Sequence, residues 1–356
     1  MIKPSKVMGE KFLKRMVSGM LLSTLLIGFS VMALDFHLSH NNLFPVKAGS
    51  EKVEGWAAIL EMDNFPEGWS SFSYMDFANC KMLSHALTEL GWQTDHVYIK
   101  RDNLTRSNVK EAVEWLVDNT DAGDIALLYI FTHGRWMRTE ILWNDWFPSV
   151  WREVNTSRRV LMIDTCHAGE FVEPIYIDPR PHVSLGHCSA DEVGWAGIPE
   201  EGLPIIGSVW NYYFASALCN STADSDKNGF VSVEEAFNFS TPLVQRYMNE
   251  TVFAVPEFLK SYHDIGIYPE NYDAYPHPVI DDQYLGQLYL NLRYYEQLSD
   301  LNHDGLVNIL DVTIVAKAYG SKPGDPNWNV IADLDGNGII DILDISKVAK
   351  DYGKTV

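Results

Sequence analysis

The sequence predicts an α/β fold, a mostly parallel sheet flanked by helices, followed by a small α-helical module with two acidic loops. Three observations carry this. Two short, almost wholly apolar runs, Ile125–Thr132 and Val160–Thr165, each end abruptly in a polar turn containing glycine. Such runs read as strands covered on both faces, as in a parallel sheet. Helical patterns alternate with strand patterns at short spacing. From Asp300 onward an acidic loop and its following helix occur twice, as Asp300–Gly320 and again as Asp333–Gly353.

The elements follow in order. Trp56–Met62 reads as the first strand. Tyr74–Leu90 reads as a helix with Ala78, Met82, Ala86 and Leu90 on one face, and Gly91 ends it. His96–Lys100 is a short strand, and Val109, Ala112, Val113 and Leu116 carry a second helix that Ser107 is placed to cap. The strand ending in His133 comes next, then a helix over Trp146–Val154, then the strand ending in Cys166. His182–Ser189 is a further strand, and Val209–Leu218 an aromatic-rich helix.

The chain divides into residues 1–34, a linker over 35–53, a domain over 54–297 and the module 298–356. Lys3, Lys6, Lys11, Lys14 and Arg15 precede an uncharged apolar run from Met16 to Leu34. That pattern is a signal peptide, or a signal anchor if uncleaved, and either places the remainder outside the cytoplasm. A membrane is reached only through this segment. Residues 1–34 hold five basic side chains and one acidic, and residues 298–356 five basic and nine acidic, so the net charge of −21 is carried by 35–297. Nucleic-acid binding, which needs Lys/Arg patches, is disfavoured. Five Asn-x-Ser/Thr sequons, at Asn103, Asn155, Asn220, Asn238 and Asn249, agree with export. Of four cysteines, Cys188 and Cys219 are a possible disulfide pair.

In open α/β sheets chemistry sits beyond the carboxyl ends of the strands. His133 and Cys166 occupy two such ends. A thiolate attacks a carbonyl carbon, and an imidazole can hold the proton and deliver it to the leaving amine. The strand with His133-Gly134, then the strand with Asp164-Thr165-Cys166-His167-Ala168-Gly169, resembles the caspase, metacaspase and legumain group of cysteine peptidases over about residues 54–292. The resemblance implies Cys166 as nucleophile, His133 as general acid/base, an oxyanion hole from the Gly134 and Cys166 N–H groups, and His167 as a neighbour without a catalytic role. Asp164, two residues before the thiol, resembles the metacaspase pattern, in which that Asp lines the pocket and pairs with substrate Arg or Lys. Asp191 and Glu192, just past the next strand, are candidates to add charge to that pocket. The expectation is an exported cysteine endopeptidase cleaving a peptide or protein substrate after Arg or Lys. The alternatives are a non-catalytic surface adaptor of the same fold and a legumain-like transpeptidase.

Oxygen donors recur at EF-hand spacing in three loops. In 224–235 they are Asp224, Asp226, Asn228, the Phe230 carbonyl, Ser232 and Glu235, with Gly229 at the sharp turn. In the repeats they are Asp300, Asn302, Asp304, Asn308 and Asp311, then Asp333, Asp335, Asn337, Asp341 and Asp344. The expected cofactor is Ca2+ at up to three sites. The duplicated loop–helix pattern resembles a type I dockerin domain, which implies a cohesin-like partner. At the loop positions where dockerins commonly contact partners, this chain has Ile309-Leu310 and Ile342-Leu343.

Overall fold

The computed structural model describes residues 53–172, 180–197, 204–284, 286–296, 299–302, 304–335 and 337–355. The expected signal segment, 1–34, lies outside the described residues, as does all but Val53 of the 35–53 linker.

Six strands form one sheet: β1 (Gly55–Glu61), β2 (Val97–Arg101), β3 (Ile125–Phe131), β4 (Arg158–Asp164), β5 (Val183–Gly186) and β6 (Val279–Asp282). Their spatial order is β2-β1-β3-β4-β5-β6. All neighbours are parallel except β5 and β6, which pair antiparallel. The expected parallel sheet is therefore present. Its antiparallel edge strand was not foreseen, because Val279–Asp282 is half polar and too short to show a period.

Successive side chains on a strand face opposite ways, and both faces of this sheet are covered. On one face Ala57, Ile59, Leu127, Tyr129, Val160 and Met162 pack with residues of α1 (Ala78–Glu89), α4 (Val209–Leu218) and α5 (Val233–Tyr247). On the other, Ala58, Leu60, Leu128, Ile130, Leu161 and Ile163 pack with α2 (Arg106–Asn119) and α3 (Phe147–Trp151). Burial on both sides is why β3 and β4 read as unbroken apolar runs.

Three helix boundaries differ from expectation for local reasons. The helix expected from Tyr74 starts at Ala78, because Asp76 and Phe77 take left-handed φ values of 50° and 55°. The buried Glu61 carboxylate accepts the Cys80 and Asn79 N–H groups at the helix start (2.6 and 3.2 Å). Thr105, not Ser107, caps α2, in a reciprocal box with Asn108. The Trp146–Val154 helix contracts to five residues around Trp151. The possible Cys188–Cys219 pair is not joined: all four cysteines are free thiols. Cys188 lies against the Thr165 and Glu192 carbonyls, and Cys219 against the Ala86 carbonyl.

The C-terminal module packs α7 (Ile309–Ala318) against α8 (Ile342–Asp351). Its own small core contains Leu301, Val307, Val315, Leu334, Ile340 and Val348. It belongs to the same compact unit as the sheet domain, Gly49–Val356.

Trp151 is fully buried and lies 5.6 Å, ring to ring, from Phe147. Trp151→Ala should cost about 3–5 kcal/mol of stability, read as a lower urea midpoint with unchanged slope.

Candidate active site and metal loops

β3 and β4 run in step, with Ile125 opposite Arg158 and Phe131 opposite Asp164. His133 and Cys166 therefore each leave the sheet two residues beyond one register pair. Both line a cavity of about 250 Å³ at the carboxyl ends of the strands. Gly134 follows His133, and a Cβ there would lie 2.1 Å from the Cys166 carbonyl oxygen. Only glycine permits that approach. Beyond the expected residues, the cavity is walled by Phe72, Tyr74, His187 and Trp195.

The His133 ring is held between Phe65 and Phe72, each with its centroid 4.6 Å away. Its Nε2 lies 2.8 Å from the Ser70 carbonyl oxygen. A carbonyl can only accept, so Nε2 carries the proton and Nδ1 of the neutral ring is left as an acceptor. Cys166 is half-buried. The adjacent His167 turns away, with φ 58° and Nδ1 2.9 Å from the Ala190 carbonyl oxygen.

Asp164 is fully buried at the cavity. Its Oδ2 accepts from the Tyr129 hydroxyl (2.7 Å), and its Oδ1 from His187 Nδ1 (2.6 Å) and the Ser208 hydroxyl (2.9 Å). Asp191 and Glu192, expected beside it, do not line this cavity. Glu192 is buried and accepts from His277 Nδ1 (2.6 Å) and the His277 N–H (2.8 Å), while Asp191 accepts from the Ser189 hydroxyl (2.8 Å). Both are spent on folding the turn after β5.

In the 224–235 loop, carboxylate oxygens of Asp224, Asp226 and Glu235 lie within 4.8 Å of one another. Gly229 makes the turn at φ 91°, and Asn228 Oδ1 accepts the Phe230 N–H at 2.9 Å. Ser232 caps α5 in a reciprocal box with Glu235. Asp333, Asp335 and Asp344 converge in the same way in the last loop. The two C-terminal loops repeat each other's hydrogen bonds. Gly305 N–H donates to Asp300 Oδ2 as Gly338 N–H does to Asp333 Oδ2 (2.8 and 2.9 Å). Asn302 N–H donates to Asp311 Oδ1 as Asp335 N–H does to Asp344 Oδ1 (3.1 and 3.2 Å). Asn308 and Asp341 cap α7 and α8, and the Asp304 and Asn337 side chains accept from Leu306 and Ile339 N–H. Burial and crowding push Asp333 up to about 7 and Asp344 to about 6. A set of converging oxygens with no nitrogen or sulfur donor suits a hard cation such as Ca2+.

The caspase domain family model matches residues 54–228, and the dockerin type I domain model matches residues 298–351. The chain carries a caspase-family peptidase domain and a dockerin domain. The caspase model falls on the part of the chain that forms β1 to β5 of the sheet. Among solved structures, the crystal structure of caspase-1 from Spodoptera frugiperda is similar at 14% identity and a TM-score of 0.45, covering 67% of this chain and 90% of that one. No curated protein matches the chain. Dockerin domains are calcium-binding modules that bind cohesins and are typical of extracellular proteins.

Three features of the caspase cavity escaped sequence reasoning. The Ser70 carbonyl belongs to a loop whose backbone direction no side-chain pattern encodes. Trp195 follows an irregular segment. His187 did leave a signal: it comes directly after β5, and Gly186 is paired with Ile163, which sets His187 beside Asp164.

Burial lowers the His133 pKa below its usual 6.5, partly offset by the Ser70 bond. Burial also raises the Cys166 thiol above its usual 9, opposed by a hydrogen bond from the Gly194 N–H. The resting pair is thus neutral thiol and neutral imidazole at pH 7. Because the histidine pKa is depressed, the ring stays a base as pH falls until below 6.5. The alkylation rate of Cys166 by iodoacetamide should therefore stay low at pH 5–7 and climb above pH 8. Fast alkylation at pH 5, the mark of a preformed thiolate–imidazolium pair, would contradict the electrostatics.

Proposed function

We propose that this protein is an exported cysteine endopeptidase in which Cys166 attacks the scissile carbonyl and His133 moves the proton. The observation that carries the reading is the convergence of His133 and Cys166 on one cavity, with the ring fixed by Ser70. In the first step the Cys166 Sγ–H proton passes to His133 Nδ1 as the Sγ–C bond forms. The Gly134 and Cys166 N–H groups are assigned to the developing oxyanion. His133 then protonates the leaving amine, and water, deprotonated by the same imidazole, releases the acid.

Substrate choice falls to Asp164. A carboxylate offers about four acceptor positions, and among the described residues three are used by Tyr129, His187 and Ser208. Among these residues one position on Oδ2 is left, enough for one N–H of a substrate Arg or Lys. The basic-then-apolar start of the chain and the dockerin domain support export.

The three loops 224–235, 300–311 and 333–344 are assigned to calcium. The ion would hold each loop against the helix that follows. The Ile309, Leu310, Ile342 and Leu343 side chains are 60%, 54%, 58% and 54% exposed. Such apolar pairs fit a cohesin-like partner.

A panel of fluorogenic peptides tests the activity. Release after Arg or Lys should exceed release after Asp or Asn by at least about tenfold, and Cys166→Ala should abolish it. Preference for Asp or Asn would overturn the role of Asp164. Activity surviving in Cys166→Ala would overturn the mechanism.

A further inference from the structure

The dockerin is not attached by a linker alone. Arg158, the first residue of β4, is almost wholly buried although its charge is permanent. Its guanidinium donates to the Gly123 carbonyl and, at 3.3 Å, to the Asp333 carbonyl. It lies 4.7 Å over the Tyr295 ring and lines one small cavity with Tyr284 and Asp333. Asp333 opens the second dockerin calcium loop. Two further close fits cross the same joint. A Cβ on Gly123 would lie 2.9 Å from the Asp335 carbonyl oxygen, and one on Gly286 only 2.3 Å from Val330 Cγ1. Val330 also packs against the core of the caspase domain.

Arg158 takes the main-chain oxygen of Asp333. The Asp333 carboxylate instead receives the Asn337 and Gly338 N–H groups (3.1 and 2.9 Å). Docking and ion binding therefore use different atoms of one residue and do not compete. A loop ordered by calcium presents that carbonyl in a fixed place. A loop without calcium would leave a buried cation short of an acceptor, which is costly.

We propose that the second dockerin loop locks the dockerin onto the caspase domain through Arg158, and that this lock and calcium in that loop are thermodynamically linked. The proposal rests on the reading that loop 333–344 takes calcium. Linkage is reciprocal, so docking strengthens calcium binding by the factor that calcium strengthens docking. Gly123 and Arg158 mark the amino ends of β3 and β4, whereas His133 and Cys166 leave the carboxyl ends. Seven residues of strand, about 20 Å, separate the two poles.

The test uses the full chain with calcium, comparing it with Val330→Arg, whose side chain is not one of the proposed calcium donors, and with Arg158→Gln. Calorimetry counts and ranks the calcium sites, X-ray scattering reads the radius of gyration, and circular dichroism checks folding. In folded Val330→Arg, one calcium site should weaken by about fivefold or more and the radius of gyration should rise. Unchanged affinities and unchanged size in both variants would overturn the lock while leaving the calcium reading intact. Absence of calcium binding to loop 333–344 in the unaltered chain would overturn the calcium reading and the linkage together.

Discussion

The register of β3 against β4 is the constraint on which the rest depends. With Phe131 opposite Asp164, the same number of residues carries each chain out of the sheet to His133 and to Cys166. A slip by one residue would turn every side chain of a strand to the other face. Both faces here are packed with large apolar residues, so a slip would mismatch two cores at once. Gly134, closed against the Cys166 carbonyl, holds the two exits together. The positions of the imidazole and the thiol are thus set by hydrophobic packing far larger than any contact between them.

Around that pair, polar groups are held by backbone and buried side-chain partners. Ser70 sets the imidazole tautomer; Tyr129, His187 and Ser208 hold Asp164. Each fixes a donor or acceptor in place, the kind of preorganisation that the proposed acyl transfer would use. The shared cause of the His133 and Cys166 shifts is burial, and it works against charge on both. In the proposed mechanism the proton moves during the reaction, at the moment when an oxyanion forms to offset it.

Much of this was legible in the residues. Apolar runs ending in His133-Gly134 and Cys166-His167-Ala168-Gly169 named both the parallel sheet and the cavity's position, because a strand buried on two faces has no polar alternation to hide its end. The acidic loops were legible because their oxygen donors recur at EF-hand spacing around a glycine turn. What was hidden depended on tertiary contact. Glu192 read as pocket charge but is consumed by His277, a partner 85 residues away. The α1 start moved because Glu61, on a neighbouring strand, receives its first N–H groups. The Arg158 lock looked like an ordinary polar start to a strand, since nothing nearby in sequence marks its acceptors.

The central claim is that one thiol, Cys166, is the nucleophile and that His133 activates it. The most direct measurement is labelling with a peptide ending in an arginyl electrophilic ketone, mapped by mass spectrometry and timed in the unaltered chain and in His133→Ala. The account predicts a single adduct on Cys166, formed about a hundredfold or more slowly without the imidazole. An adduct on the exposed Cys219, or a rate on Cys166 indifferent to His133, would contradict it.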